Sequence, residues 1–209
     1  MNLEDLHDDY DTPGLEASEL GADPVAAAAG WLQEAIDAAV PQANAMSLAT
    51  ADATGKPSVR TVLLKEVDTG FVFYSNYRSR KGDELEQNPH AAGSLTWVTI
   101  HRQVRFAGPV ERVDDAMSDA YWATRPRGAQ IAAAASDQSR GLSSRAELER
   151  RVADLEARHP GAVPRPADWG GYRIVPRRIE FWQGRRNRLH DRIEYRRDGG
   201  IWSARRLAP

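Results

Sequence analysis

The stretch MSLATADATGKPSVRTVLLKEVDTGFVFYS, residues 46–75, decides the fold class. Its apolar runs are short, rich in Val, Leu and Phe, and broken by turn signals. Met46–Thr50 predicts a strand, Ala51-Asp52-Ala53-Thr54-Gly55 a hairpin turn, and Pro57–Lys65 the return strand. Val67-Asp68-Thr69-Gly70 turns the chain again into Phe71–Ser75. Consecutive strands joined by tight turns indicate an antiparallel sheet.

Downstream, Ser79 is placed to cap a helix that ends at Asn88-Pro89. Ala91–Val98 and Gln103–Val113 predict two more strands. A helical section follows: Asp114–Thr124, Ala129–Ser136 and Ser143–His159. The last has a capping-box pattern at Ser144 and Glu147 and an apolar stripe of Leu148, Val152 and Leu155. Tyr172–Gln183, Arg188–Arg197 and Ile201–Leu207 return to strand. Upstream, Asp23 and Pro24 open a helix with a period near 3.6 that stops before Pro41. This order predicts an α+β barrel or sandwich, not a doubly wound sheet.

The charge is unevenly spread. Residues 1–24 carry eight acids and no Lys or Arg, which leaves 22 acids against 28 bases in the rest, a net +6. Only three of the 28 bases are Lys. Residues 1–23 read as an acidic arm, flexible or loosely docked, before a single domain at 24–209. No stretch approaches the ~20 apolar residues of a membrane span. No secretory leader pattern opens the chain, and there is no Cys, so disulfides and Cys-ligated metals are excluded. A reducing cytoplasm is the expected compartment. The five His are scattered, which argues against a His-rich metal site.

Candidate chemistry lies in cation clusters at strand and helix ends. Arg60 and Lys65 bracket one strand and should face opposite sides if it is regular. Ser79-Arg80-Lys81-Gly82 sets a hydroxyl and two cations at a helix start, where backbone N–H groups favour an anion. Tyr121 and Arg125 share a helix face at i, i+4, so a phenol and a guanidinium could grip one phosphate together. Each also has a bland reading, as a cap with solvated bases or a packing pair. The densest cluster is Arg188-Leu189-His190-Asp191-Arg192: as a strand it would put Arg188, His190 and Arg192 on one face. Residues 173–206 hold eleven Arg and four acids, which leaves a nucleic-acid stripe open.

In order and with its spacing, the set Arg60–Lys65, Phe73-Tyr74-Ser75-Asn76, Ser79-Arg80-Lys81, Arg102-Gln103-Val104, Tyr121 with Arg125-Pro126-Arg127, Gln138-Ser139, Trp169-Gly170-Gly171-Tyr172, Ile179–Gly184, Arg188–Arg192 and Arg206–Pro209 resembles the pyridoxine/pyridoxamine 5′-phosphate oxidase family. The resemblance runs from about residue 24 to the C-terminus. It implies an antiparallel FMN-binding split β-barrel with accessory helices, working as a homodimer with FMN at the subunit interface.

It further implies oxidation of pyridoxamine or pyridoxine 5′-phosphate to pyridoxal 5′-phosphate. A hydride would pass from C4′ to the flavin, and dioxygen would be reduced to hydrogen peroxide. By the same resemblance Arg60, Thr61, Val62, Leu63, Leu64, Lys65, Tyr74, Ser75, Arg80, Lys81, Gln103, Gln138, Ser139, Trp182 and Arg192 contact FMN. Lys65, Tyr121, Arg125, Arg188, Leu189 and His190 contact the substrate, with Arg188 and His190 at the reacting ring. No nucleic acid, membrane or metal is implied.

Three positions depart from the family pattern. Ala129 stands where many relatives have a phosphate-contacting Ser, and Ser75 replaces a common Thr. The arm reads His7-Asp8-Asp9-Tyr10, without the basic pair some relatives carry before the Tyr. The rival readings are another split-barrel flavoprotein, a non-catalytic flavin or vitamer carrier, and a nucleic-acid binder.

Overall fold

The computed structural model describes residues 10–209. Six strands close an antiparallel barrel: β1 (Ala45–Ala51), β2 (Pro57–Val67), β3 (Phe71–Asn76), β4 (His90–Trp97), β5 (Arg102–Arg112) and β6 (Trp169–Ile174). Around the wall the order is β4-β1-β2-β3-β6-β5, and β4 pairs with β5 to complete the ring. β7 (Arg178–Gln183), β8 (Asp191–Asp198) and β9 (Ile201–Arg206) extend the sheet beyond β5.

One strand can serve three neighbours because β5 bends. Its residues 102–107 pair with β4 and β7, whereas 110–112 pair with β6. Gly108 lies at the bend, where a Cβ would sit 2.0 Å from the Val175 carbonyl oxygen, so no side chain is accommodated there.

Four of the described helices begin behind a side-chain cap. Asp23 accepts from the N–H groups of Val25 and Ala26 at the head of α2 (Pro24–Asp37), which follows the short α1 (Ala17–Leu20). Ser79 caps α3 (Arg80–Gln87), Asp114 caps α4 (Asp115–Thr124), and Ser144 caps α6 (Arg145–Arg158). Each such bond satisfies an N–H that the helix leaves without an intrahelical partner. α5 (Arg127–Ala135) starts two residues before the predicted Ala129, directly behind Pro126.

The core fills the barrel. Phe71 and Phe106 stack at 3.6 Å, and Trp31 of α2 meets Phe181 edge-on at 5.1 Å. Trp97 is fully buried, and its indole N–H donates to the Ala43 carbonyl at 2.8 Å, so no polar group is stranded. A second, smaller core joins Trp122, Ile131, Val163 and Trp169 beneath α4 to α6.

Three expectations need correction. Tyr172–Gln183 is not one strand: Val175, Pro176 and Arg177 separate β6 from β7, and Pro cannot donate to a ladder. Arg188 is not in a strand, since β8 starts at Asp191 and Arg186–Arg188 form a 3₁₀ turn. Asn187 (φ 56°) and Arg188 (φ 59°) are left-handed there, a conformation incompatible with an extended strand. β2 is also not regular. Its register against β3 shifts between Leu64 and Glu66, which makes Lys65 the extra residue of a bulge.

Residues 10–23, part of the acidic arm, lie against the C-terminal hairpin; His7, Asp8 and Asp9 lie outside the described residues. Leu15 and Leu20 are buried, and the Tyr195 hydroxyl donates to the carbonyls of Ala17 (3.2 Å) and Gly21 (2.8 Å). Asp11 pairs with Arg186 at 2.8 Å and Glu16 with Arg206 at 2.9 Å. Among the described residues no helix is long and apolar enough to cross a membrane.

Candidate active site

β2, β3, the head of α3 and the loop after α5 surround a cleft of about 440 Å³. Arg60, Thr61, Val62, Tyr74, Ser75, Arg80, Lys81, Gln138 and Ser139 line it, together with Ser58 and Val59. Nine of the predicted cofactor residues therefore meet in one place. Leu64 does not join them. Its side chain enters the core, and its N–H and C=O both bond to Asn44 at 2.9 Å.

Lys81 is the centre of the cleft's chemistry. It is 7 % exposed, and its ammonium donates to Gln138 Oε1 (2.9 Å), Ser75 Oγ (3.0 Å) and Ser79 Oγ (3.3 Å). All three acceptors are neutral. Burial, and then the Arg60 charge, push its pKa down to about 8 against the pull of Glu84.

Glu84 is the carboxylate that sequence reasoning missed, although its i, i+4 spacing from Arg80 was visible. It bonds Arg60 (3.1 Å), Arg80 (2.9 Å), Ser58 (2.6 Å) and Thr50. Burial acts to raise its pKa, but these donors outweigh burial and hold it at about 2. Three cations around one carboxylate leave two positive charges in surplus. That donor set fits a phosphate dianion.

Tyr74 connects this cleft to a second group. Its ring stacks on Tyr121 at 4.0 Å and lies 5.6 Å from Trp169. Gly171, its partner across β3 and β6, makes room: a Cβ there would sit 2.9 Å from the Tyr74 ring. Lys65 Nζ lies 5.8 Å from the Tyr121 centroid, and the Arg125 guanidinium 4.9 Å from Trp169. So Lys65, Tyr121 and Arg125 converge as a cation–phenol–cation set, brought together by the β2 bulge and the end of α4.

Leu63 is exposed on β2 and joins neither group; the other predicted residues form a third group elsewhere. Gln103, Trp182 and Arg192 are register neighbours on β5, β7 and β8. His190 packs on Trp182 at 4.6 Å, and Tyr10 lies 5.8 Å beyond His190. The His190 Nδ1 accepts the Arg185 N–H at 3.1 Å. Burial, and then the Arg188 charge, lower the His190 pKa, so the imidazole is neutral at pH 7 with its proton on Nε2. Arg192 is held by Glu180 at 2.9 Å, a second carboxylate that was missed. Leu189 is exposed in the connecting turn.

β1, β4 and β5 stand between β2 and β7. At the usual strand spacing this is roughly 20 Å along the wall. Among the described residues no hydrogen bond, ion pair or ring contact joins the third group to the first. No group of His, Asp and Glu among them could hold a metal ion.

Residues 32–159 match the sequence model of the family described as Pyridoxamine 5′-phosphate oxidase. Residues 169–209 match the Pyridoxine 5′-phosphate oxidase C-terminal dimerisation region. A pyridoxine/pyridoxamine 5′-phosphate oxidase of Paraburkholderia phymatum is 49% identical over 99% of both chains. One from Thermosynechococcus vestitus is 51% identical, again over 99% of both.

Among solved structures, PhzG of Burkholderia lata, in complex with tetrahydrophenazine-1-carboxylic acid, superposes with a TM-score of 0.90 at 33% identity, covering 95% of this chain and 98% of that one. A pyridoxamine 5′-phosphate oxidase-related, FMN-binding protein of Nostoc punctiforme shares the fold at a TM-score of 0.70 and 18% identity, covering 90% of this chain and 100% of that one. With an ordered motif set, a closed six-stranded barrel and near-full-length relatives at about half identity, the chain belongs to the pyridoxamine 5′-phosphate oxidase family.

Proposed function

We propose that the protein is an FMN-dependent oxidase that converts pyridoxamine 5′-phosphate and pyridoxine 5′-phosphate to pyridoxal 5′-phosphate. Dioxygen is the electron acceptor; hydrogen peroxide is a product, and the amine substrate also yields ammonia. The observation that carries this reading is the presence of two separate anion cradles on either side of Tyr74, one around Lys81 and one of Lys65, Tyr121 and Arg125. A phosphorylated cofactor and a phosphorylated substrate need two.

In this reading Arg60, Arg80, Lys81, Ser75, Gln138 and Ser139 hold the FMN phosphate. Thr61, Val62, Leu63 and Tyr74 lie along the rest of the cofactor. Gln103, Trp182 and Arg192 complete that contact from a second copy of the chain, since one copy holds them four strands away. That is the reason for a homodimer. When bound, FMN supplies the redox chemistry, accepting two electrons from the substrate and passing them to dioxygen.

The protein's own contribution is position and charge. Lys65, Tyr121 and Arg125 anchor the substrate phosphate. His190 donates its Nε2 proton to the ring hydroxyl. Arg188 has a fixed charge, and it orients the ring and stabilises the C4′ substituent as it loses a proton. Tyr10, over His190 and His101, limits water access.

Incubating FMN-loaded protein with pyridoxamine 5′-phosphate in air should give aldehyde and peroxide in equal amounts. The same assay with tetrahydrophenazine-1-carboxylic acid, the compound bound by the PhzG relative, separates the other split-barrel reading. Turnover of that compound alone would favour it.

Two further results are expected. FMN affinity should fall as pH rises above 8. The phosphate pairs with the ammonium form of Lys81, whose pKa lies at about 8 rather than 10.5. The dissociation constant should rise about tenfold between pH 7 and pH 9, and a flat profile from fluorescence titration would contradict the assignment. In the cofactor-free protein the same depressed pKa costs stability at low pH, and that cost is relieved as pH rises from about 8 toward 10.5.

Ala129→Ser should restore a donor to the substrate phosphate. Its hydroxyl is worth about 1–2 kcal/mol, so KM for pyridoxamine 5′-phosphate should drop several-fold with kcat little changed. Steady-state kinetics read this directly.

A further inference from the structure

Tyr74, Tyr121 and Trp169 are nearly parallel rings, with interplanar angles of 20°, 13° and 8° among the three pairs. A cation lies over each of two of them, Lys65 over Tyr121 and Arg125 over Trp169. Arg125 is also 5.6 Å from the Trp122 centroid. Among the described residues its guanidinium makes one hydrogen bond, to the Ala129 carbonyl at 3.0 Å, and its buried Nε has no partner. Among the described residues neither Lys65 nor Arg125 forms an ion pair.

Other half-buried arginines in this protein are held differently. Arg173 is clamped by Asp68 and Glu111, and Arg165 by Asp115 and Asp119. A carboxylate fixes a guanidinium firmly but cancels its charge and competes with any incoming anion. An aromatic face orients the same group and leaves its charge and most of its N–H donors available.

The indole of Trp169 is itself locked. It is 4 % exposed and packs edge-on against Trp122 at 4.7 Å, while Trp122 Nε1 donates to the Val163 carbonyl at 2.8 Å. We propose that Trp169 is a positioning residue that holds the Arg125 guanidinium, uncompensated and pre-oriented, for the substrate phosphate. It acts through Arg125 and does not touch the substrate. This rests on the reading of Arg125 as a phosphate ligand.

The test is a double-mutant cycle on FMN-loaded enzyme with pyridoxamine 5′-phosphate, using Trp169→Leu, Arg125→Ala and the pair. Loss of the desolvated cation–ring contact in Trp169→Leu should raise KM about tenfold and leave kcat nearly unchanged. Trp169→Phe, which keeps a ring, should recover most of that loss. In the Arg125→Ala background Trp169→Leu should add almost nothing, because the group it positions is gone.

An unchanged KM in Trp169→Leu, a fall confined to kcat, or full additivity with Arg125→Ala would each overturn the proposal. Should Trp169→Leu fail to fold, Trp169→Met, similar in size but unbranched and more adaptable in an irregular gap, also removes the ring and gives the same readout. If Arg125→Ala itself leaves KM unaltered, the phosphate-ligand reading fails instead, which is a distinguishable result.

Discussion

Arg188→Ala should cut turnover by about 10²–10³-fold, the range for removing one preorganised hydrogen-bond donor at a reacting centre, while leaving FMN affinity close to that of the parent. Arg188 stands, with positive φ, at the end of the 3₁₀ turn between β7 and β8, and forms no ion pair among the described residues. Its guanidinium is therefore available to a ligand and is not spent on the fold. Arg192, four residues on, is bound to Glu180 and to the Ala208 carbonyl, and should behave differently. Single-turnover reduction of the bound flavin by pyridoxamine 5′-phosphate measures the effect directly. Unaltered reduction in Arg188→Ala would remove its role in the chemistry.

Lys81→Ala should produce the complementary defect. The ammonium is buried against three neutral oxygens, and hydrogen bonds to a charged group are worth about 1.5–3 kcal/mol each. Its loss should weaken FMN binding about 10–100-fold, and kcat should return toward the parent value once FMN is saturating. Lys81→Met controls for volume, since it keeps the stem and removes the charge. The cofactor-free variant should fold at least as well as the parent, because the cost of burying the Lys81 charge is gone. Equilibrium titration with FMN and thermal unfolding of the apoprotein separate the two effects. Unchanged FMN affinity would place the phosphate elsewhere.

The strands and caps were legible because each rests on local chemistry. Asp23, Ser79 and Ser144 were readable as caps, and each accepts backbone N–H groups of its first turn, whereas Asp114, read as the first residue of its helix, is the cap instead. The turns at 51–55 and 67–70 set the antiparallel pairing of β1, β2 and β3.

Features that depend on distant partners were not legible. Glu84 meets Arg60 across 24 residues, and Glu180 meets Arg105 across 75. The left-handed pair Asn187–Arg188 broke an alternation that looked like strand, and the β2 bulge at Lys65 undid the parity argument about Arg60. Leu15 and Leu20 anchor residues 10–23 through isolated contacts and backbone carbonyls, which leave no periodic trace. The Arg125–Trp169 contact joins α4 to β6 and appears only once the barrel is closed.

The charge imbalance between the acidic arm and the basic body takes a local form. Asp11 and Glu16 pair with Arg186 and Arg206, and the cations left without a carboxylate among the described residues include Lys65, Arg125 and Arg188. These face ligands in the proposed function.

The visible spectrum of FMN-loaded protein, recorded anaerobically before and after one equivalent of pyridoxamine 5′-phosphate, tests the proposed chemistry most directly. The oxidised flavin band should bleach, one pyridoxal 5′-phosphate should form per flavin, and the band should return when oxygen is admitted. A flavin band that binds to the protein but does not change on adding the substrate, with no aldehyde formed, would contradict it.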